Sequence, residues 1–290
     1  MEKYLFAFLK CKGVGNVKLL KYLKKYNFDI DLILKNKSEI ITEEDMNSFK
    51  QYVLISEKEI ENNRQNGINI ISVFDKKYPV KLISIKDPIL YLYYKGNIEL
   101  LYNTSIAVIG SRKITSKDEQ LITRLAKYIS CKNITVVSGL ALGSDTCAHL
   151  GSYNNLGHTI AVMPSGIDVI TPISNKKLAN EIINNNGLIV SEYSIGTIPT
   201  KYTYVKRDRI QAALSDALVI VKASEISGTM HAVKIAQESN KYVAQYIDNY
   251  NKLINNTFNN KEDIDKIIEI AKNMKYEIVE NTVHVQESLF

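Results

Sequence analysis

Tryptophan is absent from this chain of 290 residues, and cysteine occurs three times, at Cys11, Cys131 and Cys147. An odd number at no metal-like spacing argues against a disulfide framework and against a zinc site. Free thiols imply a reducing compartment, so a cytoplasmic protein is expected. No apolar run approaches the roughly 20 residues that a membrane-spanning helix needs. Residues 1–13, MEKYLFAFLKCKG, have a short apolar run and an early Glu2, which is a poor secretory leader. No membrane partner is therefore expected.

Familiar catalytic patterns are also missing. His149, His158, His231 and His284 have no zinc-like spacing. There is no G-x-S-x-G elbow and no G-x-x-x-x-G-K-[ST] loop. The carboxylates Asp145, Asp168, Glu192 and Asp208 are scattered, with no pair forming an acid/base couple. These absences favour binding over chemistry: no catalytic residue, metal or cofactor is expected. His149 and His231 fall in expected helices near the strand ends described below; each is either a ligand contact or a structural histidine.

What is present is an ordinary globular composition, 45% apolar, enough for a buried core in two domains or in one domain with an appendage. The net charge is +6, compatible with a polyanionic partner. The chain is rich in Lys, Ile and Asn throughout, so the placement of the charge says more than its total.

Residues 1–66 read as a small all-helical domain, with apolar residues at helical spacing on both sides of Gly13-Val14-Gly15. Seven lysines against one glutamate make residues 1–27 basic. TEEDMNSFKQYVLISEKEIENNRQNG continues helically and stops at Gly67. INIISVF (68–74) reads as a strand, and Pro79 and Pro88 then force extended turns. From Ser105 the pattern becomes strand, loop, helix, repeated, with strands expected at 105–110, 134–139, 159–163, 187–192, 217–222 and 242–246. Short, nearly all-apolar strands alternating with helices imply a parallel sheet covered on both faces. The second domain is expected over 67–250, followed by a helix and polar tail over 251–290.

Ligands of such sheets bind beyond the carboxyl ends of the strands. The first of these ends reads Gly110-Ser111-Arg112-Lys113, with Ser116 opening a helix. Glycine allows close approach, the serine adds a hydroxyl, the arginine a planar fork, and the helix start a partial positive charge; together they suit a phosphate. The alternative is that Ser116 and Glu119 form a capping box and Arg112 is merely solvated. The second end, SGLALGSDTCAH, has Gly139 and Gly143 around another helix start, with Ser144 and Asp145 as cap candidates; it is either an anion nest or a tight turn. After the fourth strand, Lys201, Lys206, Arg207 and Arg209 alternate with Tyr193, Tyr202 and Tyr204, a mixture that can follow a phosphate backbone and stack on bases. Ser227, Gly228 and Thr229 open a third helix. Three such starts around one crevice could hold successive phosphates or wrap one nucleotide.

Taken in order, AVIGSR (107–112), VSGLALGSDTCAH (137–149), TIAVMPSGIDVITP (159–172), SEY (191–193), KRDRIQAALS (206–215) and SGT (227–229) resemble the DprA (Smf) family of DNA-processing proteins. The resemblance runs from about residue 78 to residue 246. It implies an α/β fold, an extended Rossmann-like parallel sheet with helices on both faces, preceded by a small SAM/helix-hairpin-helix-like domain. It implies binding of single-stranded DNA, a homodimer, and loading of the RecA recombinase in natural transformation. On it, Arg112 is the lead DNA contact, with Lys206, Arg207 and Arg209 in a second basic strip. Some members end in a winged helix; nothing in the last 40 or so residues reads as one. The chain departs from the usual strip, close to F-P-x-R-N-R-I-I-A-G-L-S, at Asp208, Gln211 and Ala213. A carboxylate at Asp208 should repel a phosphate.

The competing expectation is a nucleotide-ligand sensor of the same fold superfamily, or a LOG-like nucleoside monophosphate phosphoribohydrolase. Ala232 and Val233 stand where the enzyme subtype's G-G-x-G-T-x-x-E resemblance would bring a glutamate, which argues against hydrolysis. The C-terminal QESLF, with Gln286, Leu289 and Phe290, resembles the Q-x-x-L-F peptide that docks on the replication sliding clamp. The alternative is that Leu289 and Phe290 pack on their own domain.

Overall fold

The computed structural model of the protein describes residues 1–224, 227–249 and 251–276. The chain divides into two compact units, Met1–Leu92 with Tyr276, and Tyr93–Lys275.

The first unit begins with four helices: α1 (Glu2–Lys10), α2 (Asn16–Lys25), α3 (Ile30–Lys35) and α4 (Glu43–Gln65). Their starts and stops follow local chemistry. Asp29 caps α3 by accepting from the N–H groups of Asp31 and Leu32, Thr42 caps α4 through Asp45 N–H, and Gly67 follows α4 at φ +70°. Apolar side chains at helical spacing meet inside, with the Phe8 ring 4.9 Å from that of Phe49. Strand β1 (Asn69–Ser72) and the short α5 (Val80–Ile83) follow.

The second unit is built on β2 (Tyr91–Gly96), β3 (Ser105–Ile109), β4 (Thr135–Ser138), β5 (Thr159–Val162), β6 (Leu188–Ser191), β7 (Ala217–Ile220), β8 (Tyr242–Tyr246) and β9 (Asn256–Phe258); β2 begins two residues before the division. Their order is β2-β6-β5-β4-β3-β7-β8-β9. β2 runs antiparallel to β6, and every other pairing is parallel. The connecting helices are α6 (Ser116–Cys131), α7 (Ser144–Ser152), α8 (Lys176–Asn184), α9 (Lys201–Leu214), α10 (Thr229–Glu238) and α11 (Lys261–Lys272). Ile106, Val108, Val136 and Val219 are packed with Ile122, Ile129, Ala148, Ile264 and Ile268 of α6, α7 and α11. Helices α9 and α10 pack on each other, α9 lying across β3, β4 and β5 and α10 across β7 and β8. The central strands are buried on both faces, hence their unbroken apolar runs.

All six strands expected from Ser105 onward are present. Two more, β2 and β9, carry mixed burial, so neither shows the continuous apolar run that marks the others. The helix after β3 starts one residue earlier than the Ser116–Glu119 pairing suggests: Thr115 is the cap, and Thr115 and Asp118 form the reciprocal capping box.

After β3 the chain moves to β4, β5 and β6 on one side, then returns to β7 on the other. The carboxyl ends of β3 and β7 are therefore the switch point of the sheet, where a crevice opens.

Candidate nucleic-acid interface

A cleft of about 430 Å³ lies at this switch point, walled by the turn after β3, the end of β4, one face of α9 and the start of α10.

The turn is rigid. Ser111 N–H donates to Lys222 O (2.7 Å), and Ser111 O accepts from both the N–H and the hydroxyl of Ser144 (3.0 Å each). The Ser111 hydroxyl donates to Lys113 O (2.9 Å) and accepts from Lys113 N–H (3.0 Å), closing a small ring. Gly110 is required by close approach: a Cβ there would meet Lys222 O and the Ser144 hydroxyl. So held, the turn exposes Arg112 and Lys113 to solvent at the cleft. The Arg112 guanidinium sits 4.8 Å from the ring centroid of Tyr204, and it has no ion-pair partner among the described residues.

The α9 wall presents Tyr204, Arg207, Asp208 and Gln211, at i, i+3, i+4 and i+7, which puts them on one helical face. Arg207 is buried, 4% exposed. It donates from Nη1 to Val162 O (3.2 Å), pairs with Asp145 at 3.8 Å and with Asp208 Oδ1 at 3.2 Å. Gln211 is oriented so that its oxygen accepts from Gly139 N–H (3.0 Å) and its nitrogen donates to Asp208 Oδ1 (3.3 Å). Two carboxylates thus share one guanidinium. Burial raises the pKa of Asp145, and burial pushes that of Asp208 up to about 6, with Arg207 opposing both.

Beside them His149 is fully buried, its pKa lowered to about 3 by burial and by the Arg207 charge. Its Nε2 accepts from Leu140 N–H, so Nδ1 carries the hydrogen and donates to the Thr159 hydroxyl (2.9 Å). It is a neutral structural histidine, whereas His231 is exposed on the cleft wall.

At the start of α10 the Ser227 hydroxyl is buried with no hydrogen-bond partner among the described residues, and Ser227, Gly228 and Thr229 all line the cleft. The N–H groups of Gly228 and Thr229 donate to none of the described residues, as expected of a first helical turn. This start offers free donors and a partial positive charge.

The structure therefore gathers Gly110, Ser111, Arg112, Lys113, Arg207, Ser227, Gly228 and Thr229 around one cleft. Gly139 and Gly143 serve close packing. The Arg207 guanidinium takes the space of a Gly139 side chain, and Gly143, at φ +75°, abuts the backbone of Ser111 and Arg112. The first N–H of α7 is already spent on Ser111 O. Ser116, Lys206 and Arg209 do not line the cleft. Ser116 is the first residue of α6; Lys206 lies near the Tyr202 ring, at 5.8 Å; Arg209 is buried, with Nη2 on both Glu192 oxygens at 2.6 and 2.7 Å. Tyr204, expected from the sequence as an aromatic among the basic residues, lines the cleft, whereas the contributions of Asp208 and Gln211 are visible only once α9 is folded and its register known.

Among the described residues no group of His, Cys, Asp and Glu could hold a metal ion, and no helix is long and apolar enough to cross a membrane.

Comparison with known proteins finds relatives in sequence and in fold. The family model described as DNA recombination-mediator protein A matches residues 69–275. DNA processing protein DprA of Streptococcus pneumoniae is 33% identical over 237 residues, 81% of this chain and 83% of that protein. Protein Smf of Borreliella burgdorferi is 31% identical, covering 77% and 74%. Among solved structures, DprA of S. pneumoniae superposes with a TM-score of 0.77 at 27% identity, covering 92% of this chain and 98% of that one. DprA of Helicobacter pylori, whose structure is described as showing a single-stranded DNA binding mode, superposes at 0.61 with 28% identity, covering 72% and 97%. A cleft at the switch point of a Rossmann-like sheet, and a family match spanning the whole of that sheet, lead to one assignment: the chain belongs to the DNA recombination-mediator protein A family, the DprA/Smf proteins.

Proposed function

We propose that this protein binds single-stranded DNA through the switch-point cleft, with Arg112 as its main phosphate contact, and works as a recombination mediator that loads a RecA-type recombinase, as a homodimer. One observation carries the DNA reading: an exposed arginine, held against Tyr204, shares a cleft with the Ser227 hydroxyl and the N–H groups of Gly228 and Thr229, none of which has a hydrogen-bond acceptor among the described residues. Each of these suits a phosphate oxygen, and Tyr204 adds an aromatic face of the kind that holds unstacked bases. The description of the H. pylori relative supports the same ligand. The neighbouring Lys113 extends the positive rim.

Titration of the full chain with a labelled single-stranded oligonucleotide, and with its duplex, at two salt concentrations tests the reading. Tighter binding of the single strand, weakening steeply with salt, is expected. Absence of binding at low salt contradicts it. The recombinase partnership is tested by nucleation of recombinase filaments on oligonucleotide coated with single-strand-binding protein, with and without this protein. Gln286, Leu289 and Phe290 lie outside the described residues; a sliding-clamp pull-down unchanged by deleting residues 286–290 would remove that proposed partner.

A further inference from the structure

We propose that the cleft prefers, among the bases of a single strand, one bearing an exocyclic amino group, and that Asp208 is the residue that reads it. The inference rests on the single-stranded DNA reading above.

The cleft holds roughly one nucleotide, at the small end of ligand pockets. Most of its polar wall donates: Arg112, Lys113, and the start of α10. Two carboxylates line it, Asp145 from the start of α7 and Asp208 from the α9 face, and Asp208 is the more exposed, at 13% against 8%. Its Oδ1 is taken up by Arg207 at 3.2 Å and by the Gln211 amide at 3.3 Å. Its Oδ2 accepts from none of the described residues, and the side chain keeps 13% exposure on the cleft wall. Gln211 is itself anchored by Gly139 N–H, so the carboxylate is fixed in place rather than free to turn away.

A DNA strand has three kinds of group to set against this oxygen. The phosphate is an anion, and the carboxylate repels it. Deoxyribose within a chain has no hydroxyl to donate. The base edge alone carries donors. Cytosine, adenine and guanine each carry an exocyclic amino group, and an acidic side chain accepting from cytosine N4 is an established pairing. Thymine offers one ring N–H flanked by two carbonyl oxygens, which would face the carboxylate lone pairs. The donors of the rim therefore take the phosphate, and the carboxylate sorts the base.

The test compares homopolymers of deoxycytidine and deoxythymidine of equal length, near neutral pH and at low salt, with the full chain and with Asp208→Asn. The wild type is expected to bind the cytidine strand about tenfold more tightly. Asp208→Asn, whose amide both donates and accepts, should bring the two affinities together. A strand of cytidine analogues lacking the 4-amino group should bind the wild type as weakly as the thymidine strand, which decides the matter even where the variant folds poorly. Equal binding of both natural strands by the wild type overturns the base preference and leaves the DNA reading standing. A cytidine preference that persists in Asp208→Asn removes the role of Asp208. Failure to bind either strand overturns this inference and the DNA reading together.

Discussion

The Arg207 guanidinium fills the place where a side chain on Gly139 would stand. From there it reaches Val162 O, Asp145 and Asp208, so the end of β5, the start of α7 and the middle of α9 are tied at one cation. Gly139→Ala must displace that guanidinium. Loss of about 2–3 kcal/mol of folding stability is expected, since overpacking is combined with a weakened buried ion pair. Urea denaturation measures it; an unchanged midpoint contradicts the arrangement. Arg207→Ala strands two carboxylates and should cost at least as much.

Lys241 should matter to stability far more than a surface lysine. It is 5% exposed, and its ammonium donates to the carbonyls of Ala212, Ala213 and Ser215 at 2.7, 2.7 and 2.6 Å, closing the C-terminal end of α9. Lys241→Met leaves those carbonyls unsatisfied and removes a cation from the negative end of the helix dipole. A loss of about 2–4 kcal/mol is expected, and Lys241→Arg should restore little, because a planar fork cannot converge on three carbonyls as an ammonium does. A denaturation midpoint equal to that of the wild type would contradict this.

Asp208 should make stability depend on pH in a stated direction. Burial raises its pKa to about 6; Arg207 and Arg112 oppose the rise and Asp145 adds to it. The folded value lies above the ordinary 3.8, so between the two the native state holds more protons than the unfolded chain. The ionised carboxylate therefore costs stability above about pH 6, and the cost fades as pH falls through 6 towards 4. Asp208→Asn never bears that cost. Its melting temperature should exceed that of the wild type near pH 8, with the gap closing towards about pH 4. Asp145 is present in both proteins; losing the Asp208 charge eases its own ionisation, which adds to the gap at high pH and vanishes in the same direction. A gap that is constant or widens on acidification contradicts the account.

The sheet was legible in the sequence because its central strands are buried on both faces, so SIAVI, TVVS, TIAV, LIVS and ALVI stand out as apolar runs between helical stretches. β2 and β9 were not, because a strand of mixed burial has no such run. The glycine-serine-arginine turn was legible too: one short stretch carries a close backbone approach and an exposed cation. The basic strip was legible only as composition. Lys206, Arg207 and Arg209 are near neighbours in sequence, but successive residues of a helix point about 100° apart. One therefore lies near Tyr202, one is buried in the carboxylate cluster, and one is buried on Glu192. Asp208 looked like a repulsive intruder among arginines; in the fold it has Arg207 for a partner and one oxygen left over for the cleft.

The most direct test is the salt dependence of oligonucleotide binding by the wild type and by Arg112→Ala. Arg112 is exposed, has no ion-pair partner among the described residues and gives Asp208 and Asp145 only a minor part of their charge support, so the variant should melt close to the wild-type temperature. Loss of one phosphate contact should weaken binding and flatten the plot of log affinity against log salt by about 0.7, the contribution of one neutralised phosphate on a single strand. An Arg112→Ala protein that binds with unchanged affinity and unchanged slope would contradict the assignment of this cleft to DNA.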